Sequence, residues 1–170
     1  TANGTVKKTA LTQYSRPRSV GLRAVDLVEG DYLVGTAIID DSSDVMLFSS
    51  EGKAVRFAST DARSMGRVSK GVRGMRLPEG SSVISMVIPE QDGFLLTVCE
   101  NGYGKRTKVD EFPTKGRGGK GMIAIQASER NGPLVGATQL FSGDEIMLIS
   151  DQGTMVRTRG DEVSVVGRNT

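Results

Sequence analysis

The stretch Asn101-Gly102-Tyr103-Gly104-Lys105-Arg106-Thr107 decides how this chain is read, because its pattern recurs. Asn3-Gly4-Thr5-Val6-Lys7-Lys8-Thr9, Glu51-Gly52-Lys53-Ala54-Val55-Arg56-Phe57 and Gln152-Gly153-Thr154-Met155-Val156-Arg157-Thr158 repeat it, with leading glycines 48, 50 and 51 residues apart. A second marker keeps the same period. Gly21-Leu22-Arg23-Ala24-Val25-Asp26-Leu27 reads onto Gly71-Val72-Arg73-Gly74-Met75-Arg76-Leu77 and onto Gly121-Met122-Ile123-Ala124-Ile125-Gln126-Ala127, each start 50 residues after the last. Two independent markers on one period indicate a repeat architecture, in which each unit buries its apolar surface against its neighbours.

Each unit reads as β. The apolar runs Val45-Met46-Leu47-Phe48, Leu95-Leu96-Thr97-Val98 and Ile146-Met147-Leu148-Ile149 precede the leading glycines. They are too short for helices and rich in strand formers. The Xaa-Gly pair that follows allows the positive φ of a tight hairpin, and Asn101-Gly102 is the best such turn. Behind the second marker comes a further strand, at Tyr32–Ile38, Val83–Ile88 and Leu134–Ala137. No amphipathic helix of three turns is present. Four strands per unit give an all-β, propeller-like array of small blades; the competing reading is a β-sandwich with accidental similarity. The units span approximately residues 1–43, 44–92, 93–144 and 145–170, within one domain over 1–170. The first lacks its leading apolar strand and the last stops before its second marker. About three and a half units are therefore expected to form an open arc, with exposed strand edges at both ends.

Composition excludes several chemistries. The 170 residues hold no His and a single Cys, so a His-based triad, a His–metal site, a zinc ribbon and an internal disulfide are all impossible. Cys99 sits in an apolar run and reads as a small buried hydrophobe rather than a reactive thiol. No apolar run approaches the ~20 residues of a membrane span, and no apolar leader follows a basic start. The abrupt opening at Thr1 reads as a piece of a longer protein.

The net charge is only +2, but it is unevenly placed. Residues 5–25, 53–73, 103–123 and 154–170, which follow the leading glycines, carry 20 of the 22 basic residues and 5 of the 20 acidic ones. The acids collect in the opposite phase, at Asp40, Asp41, Asp44, Glu90, Asp92, Asp144, Glu145 and Asp151. In a repeat, a phase of the sequence is a place on the molecule, so one rim is expected to be basic, as a polyanion binder requires. Two columns recur. Four residues after the leading glycine stand Lys8, Arg56, Arg106 and Arg157; the competing reading of this column is an edge-strand charge against aggregation. Fourteen after it come Gly66-Arg67, Gly116-Arg117 and Gly167-Arg168, with Arg18 near the same place in the first unit, and Lys70 and Lys120 just ahead of the second marker. Lys115 precedes Gly116. Glycines there let main-chain N–H groups approach phosphates beside the cationic side chains. Eight aromatics, not interleaved with the basics, favour duplex backbone contact over stacking on single strands.

Other motifs fail. Gly116-Arg117-Gly118-Gly119-Lys120-Gly121 matches G-x-G-x-x-G but lacks the following helix and the acid about twenty residues on that a dinucleotide site needs. It is no P-loop, since Lys120 is followed by Gly121. The acidic pairs Asp40-Asp41 and Asp161-Glu162 read as solvated loop charge rather than acid–base catalysts.

The chain resembles the C-terminal domain of the DNA gyrase A subunit. The resemblance runs over the whole chain and rests on residues 101–107, on Glu111-Phe112-Pro113-Thr114-Lys115-Gly116-Arg117-Gly118-Gly119-Lys120-Gly121, on Ser64-Met65-Gly66-Arg67 with Gly71-Val72-Arg73-Gly74, and on Val165-Val166-Gly167-Arg168-Asn169-Thr170. It implies a β-pinwheel, a propeller-like disc whose blades exchange strands, and wrapping of duplex DNA on a basic rim in support of ATP-driven negative supercoiling. The family's box Q-R-R-G-G-K-G is matched in its last five positions by Arg117 to Gly121, while Lys115 and Gly116 depart from the first two. By position Arg117 and Lys120 inherit a DNA-backbone role. The resemblance further implies that ATP and Mg belong to other parts of an enzyme built from gyrase A and gyrase B polypeptides, and that the setting is the bacterial cytoplasm, associated with the nucleoid. None of Tyr14, Tyr32 or Tyr103 stands in the context of the family's DNA-cleaving tyrosine, so no catalytic residue and no cofactor is assigned here. The DNA-binding candidates are Lys8, Arg18, Arg56, Arg67, Lys70, Arg106, Lys115, Arg117, Lys120, Arg157 and Arg168. The rival readings are the equivalent domain of topoisomerase IV and a propeller-like scaffold for acidic proteins.

Overall fold

The apolar runs ahead of the leading glycines become the central strands of the blades. The computed structural model describes all 170 residues, as eleven strands and four short 3-10 turns. In the first unit lies β1 (Thr5–Val6). The second holds β2 (Asp44–Ser49), β3 (Lys53–Ala58), β4 (Val72–Arg73) and β5 (Val83–Val87). The third holds β6 (Phe94–Cys99), β7 (Gly104–Lys108), β8 (Met122–Ile123) and β9 (Leu134–Leu140), and the fourth β10 (Glu145–Ile149) and β11 (Met155–Arg159). Gly52, Gly102 and Gly153 each close a hairpin, and all four leading glycines have φ between 75° and 84°, the left-handed region a tight turn requires. The longest helical segment is four residues, Leu11–Tyr14.

The blades share strands. The most complete sheet runs β5-β2-β3-β8, all antiparallel, and β8 comes from the next unit, with Lys53 opposite Ile123 and Ala54 opposite Met122. The same exchange joins β4 to β1, with Thr5 opposite Arg73. The second marker is thus the strand that each unit lends to the one before it. β9-β6-β7 forms a three-stranded sheet and β10-β11 a hairpin, and the sheets do not close on one another.

Burial on both faces explains the unbroken apolar runs. Val45 and Leu47 point into one core with Val55, Phe57, Met75 and Val83. Their neighbours Met46 and Phe48 point into another with Leu95, Val109, Phe112, Ile125 and Leu134. A third cluster, Leu96, Leu140 and Ile146, joins the third unit to the fourth. Cys99 is 1% exposed within the second of these cores, and burial pushes its thiol up, as befits a packing residue.

One expected strand does not form. Residues 32–38 join no ladder. In the other units this segment pairs with the leading apolar strand, β5 with β2 and β9 with β6, and the first unit has no such strand in this chain. Leu33, Val34, Ile38 and Ile39 instead line an open apolar hollow facing Val6 and Phe57. At the other end the outer face of β10-β11 is bare, with Met147 at 56%, Ile149 at 69% and Val156 at 53% exposure.

Candidate nucleic-acid interface

The two basic columns have different fates. Each member of the first meets a carboxylate of the chain: Lys8 with Asp41 at 3.5 Å, Arg56 with Asp44 at 2.7 Å, Arg106 with Asp161 at 3.2 Å, and Arg157 with Glu145. Arg56 and Arg106 are also buried, at 8% and 7% exposure. Arg56 Nη1 donates to the carbonyls of Val109 and Phe112 at 3.2 and 2.9 Å. Arg106 donates from Nε to the Val163 carbonyl and from Nη2 to the Asp161 carbonyl, at 2.8 and 3.0 Å. Both guanidinium groups therefore clamp the 3-10 turn of the following unit, Val109–Glu111 or Gly160–Glu162. This corrects the expectation that Arg56 and Arg106 face a ligand: both are buried, with Nε and Nη1 of Arg56 and all three nitrogens of Arg106 bonded to protein acceptors. A signal was present in the sequence: twelve residues ahead of Arg56, Arg106 and Arg157 stand Asp44, Phe94 and Glu145, and Arg106 lies over the Phe94 ring at 4.9 Å.

The second column stays free of carboxylates. Arg18, Lys70, Lys115 and Lys120 are exposed, Arg67, Arg117 and Arg168 half-buried, and none of the seven enters an ion pair. Three of them mark equivalent blade junctions. Arg67 Nη1 donates to the Arg23 carbonyl at 3.1 Å and Arg168 Nη1 to that of Ile123 at 2.8 Å, while Arg117 Nη1 donates to Arg73. The Gly–Arg loop of each unit thus lies along the second marker of the unit before. Main-chain bonds fasten it there: Gly118 N–H to Gly74 at 2.8 Å, and Arg76 N–H to Gly119 at 2.8 Å. One guanidinium nitrogen anchors Arg67 and Arg168, two anchor Arg117 (Nη1, and Nε to the Asp61 carbonyl at 3.1 Å), and the others remain without a protein acceptor, so the same residue fixes the loop and keeps donors for a ligand.

Sequence reasoning missed a second set of anchors, Lys7 and Lys105, three residues after the leading glycine. Lys105 is 4% exposed, and its ammonium donates to the carbonyls of Gly167, Arg168 and Thr170 at 2.7, 2.8 and 2.8 Å. Burial lowers its pKa from 10.5 to about 8, with the Arg168 charge acting in the same direction and Glu111 and Cys99 opposing it. Lys7 holds the Ala24 carbonyl at 2.5 Å and also that of Arg67. Both lysines cradle the Gly–Arg loop of the next unit from beneath. A lone Lys one residue ahead of a conspicuous basic column offered no periodic signal, because the second and fourth units carry Val55 and Val156 there.

No cluster of side chains suited to a metal is present, and no helix is long and apolar enough to cross a membrane. The geometry defines a strand-exchanging, propeller-like repeat protein whose blade junctions carry unpaired cations on glycine-rich loops. Comparison with known proteins makes this specific. A family model described as DNA gyrase C-terminal domain, beta-propeller, matches residues 1–40, 43–90, 93–139 and 144–170, and the chain belongs to that family. It is 60% identical over its full length to the DNA gyrase A subunit of Pseudomonas aeruginosa and 55% identical to that of Escherichia coli, spanning 18% and 19% of those proteins. Among solved structures it resembles a DNA gyrase A C-terminal domain with a TM-score of 0.86 at 29% identity, covering 98% of this chain and 56% of that one. It resembles a topoisomerase IV C-terminal domain with a TM-score of 0.92 at 24% identity, covering 99% of this chain and 53% of that one.

Proposed function

We propose that this domain grips duplex DNA by its phosphates and bends it along the successive blade junctions, without reading bases. The observation that carries the proposal is the recurrence of one device at Arg67, Arg117 and Arg168, a glycine-flanked arginine whose Nη1 holds a carbonyl of the preceding unit while at least one other guanidinium nitrogen lacks a protein acceptor. Equivalent positions in a repeat follow one another along the array. A duplex laid across them meets cations at a regular step, and contact with phosphates positions it without selecting sequence. The contacting set is Arg18, Arg67, Lys70, Lys115, Arg117, Lys120 and Arg168, with Lys8 and the exposed Arg157 at its margins.

The domain would act as the non-catalytic C-terminal part of gyrase A. In this reading the DNA-cleaving tyrosine, ATP and Mg belong to the remainder of that polypeptide and to gyrase B, in the bacterial cytoplasm at the nucleoid. The wrap it imposes would set the hand of the DNA crossing for ATP-dependent negative supercoiling. Identity of 55% to 60% with gyrase A proteins, against 24% with a topoisomerase IV domain, favours gyrase over its relative.

A salt titration tests the proposal. Each neutralised phosphate contributes roughly −0.9 to the slope of log affinity against log salt, so full use of the set gives a slope of roughly −6. Two duplexes of unrelated sequence should give the same slope. A flat response, or preference for an acidic polypeptide over DNA, overturns the reading.

A further inference from the structure

The three Gly–Arg loops are capped differently. Nine residues after the leading glycines stand Gln13, Asp61 and Glu111. Gln13 Oε1 accepts the main-chain N–H of Arg67 at 3.2 Å, and Glu111 Oε2 accepts that of Arg168 at 2.7 Å. Asp61 is one methylene shorter than either. It gives Arg117 only its main-chain carbonyl, to Nε at 3.1 Å, and its carboxylate bonds to nothing. The Arg117 N–H therefore has no protein acceptor, and neither have those of Gly116, Gly119 and Lys120. The loop is open to approach: a side chain built on Gly116 would meet nothing within 4 Å.

Charge is concentrated at the same place. Lys115 and Lys120 flank the loop, and the marker strand beneath it adds the exposed Arg73 and Arg76. The positions matching Arg73 and Arg76 hold Arg23 and Asp26, 3.9 Å apart as an ion pair, at the first junction, and Ile123 and Gln126 at the third. Clustered main-chain N–H groups amid cations form a receptor for phosphate oxygens.

We propose that the junction of the second and third units is the principal phosphate seat on the DNA path. The Arg117 N–H receives a non-bridging oxygen, Arg73 and Arg76 share its charge with Lys115 and Lys120, and the short side chain of Asp61 keeps the seat uncapped. This rests on the duplex-binding reading above and assigns two contact residues, Arg73 and Arg76, that the sequence candidates omit.

The test uses a substitution that conserves charge. In the intact protein, Asp61→Glu lets the carboxylate reach the Arg117 N–H as Glu111 reaches Arg168. Affinity for labelled duplexes of two unrelated sequences should fall about three- to tenfold, equally for both. Arg73→Ala with Arg76→Ala should lower affinity further and make the salt slope shallower by about two phosphate contacts. Wild-type affinity in both variants overturns the seat while leaving duplex binding intact. Absence of salt-dependent binding by the wild-type protein is a different result, and overturns the parent reading.

Discussion

Arg56 and Arg157 hold the same place in two repeats and pair with carboxylates at the same place, Asp44 and Glu145, yet their surroundings differ. The Arg56 side chain is 9% exposed and that of Arg157 67%. Removing one partner of a buried, hydrogen-bonded pair costs about 3 kcal/mol, whereas an exposed pair contributes at most about 1 kcal/mol. Arg56→Ala should therefore lower the urea midpoint strongly, and Arg157→Ala hardly move it. Lys105 makes a further demand at this scale. Its folded pKa of about 8 lies below the ordinary 10.5, so between these values the unfolded chain binds more protons than the folded one. Stability contributed by this group then rises with pH from about 8 to 10.5, and burial of the ammonium is a cost below that window. Unfolding measured at pH 7.5 and at pH 10 should show wild-type stability rising relative to that of Lys105→Met; a relative fall would contradict the lowered pKa. Asp44, twelve residues ahead, was the only sign of the Arg56 environment, and nothing marked that of Lys105. The sequence displays a column of charge, but whether a guanidinium faces water or a neighbour's carbonyls depends on which unit folds over it.

At the scale of elements, the hairpins were legible and the exchange was less so. Xaa-Gly followed by alternating residues specifies a turn and its two strands locally, and the three hairpin glycines Gly52, Gly102 and Gly153 have positive φ. The second marker carries no local sign that it pairs with the preceding unit rather than its own. Gly121 shows how tightly that exchange is packed. It has φ of +82°, and a Cβ there would lie 2.7 Å from the Ala54 carbonyl oxygen, on the strand that β8 joins. Gly118, with φ of +84°, has nothing nearer than 3.5 Å. Gly118→Ala should cost only the backbone strain of about 1 kcal/mol, while Gly121→Ala adds a clash with main chain and should be several times worse in thermal unfolding. The unformed strand at residues 32–38 teaches the complementary lesson. Its composition suits a strand, but a strand is a relation between segments, and no segment of this chain pairs with it in a ladder.

For the molecule as a whole, periodicity turned a small net charge into a distribution, and the blades then divided that charge between two tasks. Arg56 and Arg106 of one column hold successive units together, while the glycine-flanked column enters no ion pair. The sequence could not separate these, because both repeat with the same period; ion pairing to the chain's own carboxylates separates them. The division predicts how the salt response is built. Lys115 and Lys120 are exposed and bond through their side chains to nothing in the chain, so Lys115→Ala with Lys120→Ala should leave thermal stability unchanged. It should also make the log–log salt slope shallower by about 2, one phosphate per lysine. Arg106→Ala should do the reverse, lowering stability with the slope unchanged wherever the protein remains folded, since its guanidinium touches only Asp161, Val163 and the Phe94 ring. If instead the buried arginine steepens or flattens the salt response and the exposed lysines do not, the cations that clamp the blades would be the ones that reach the phosphates, and the junction loops would have to be structural alone.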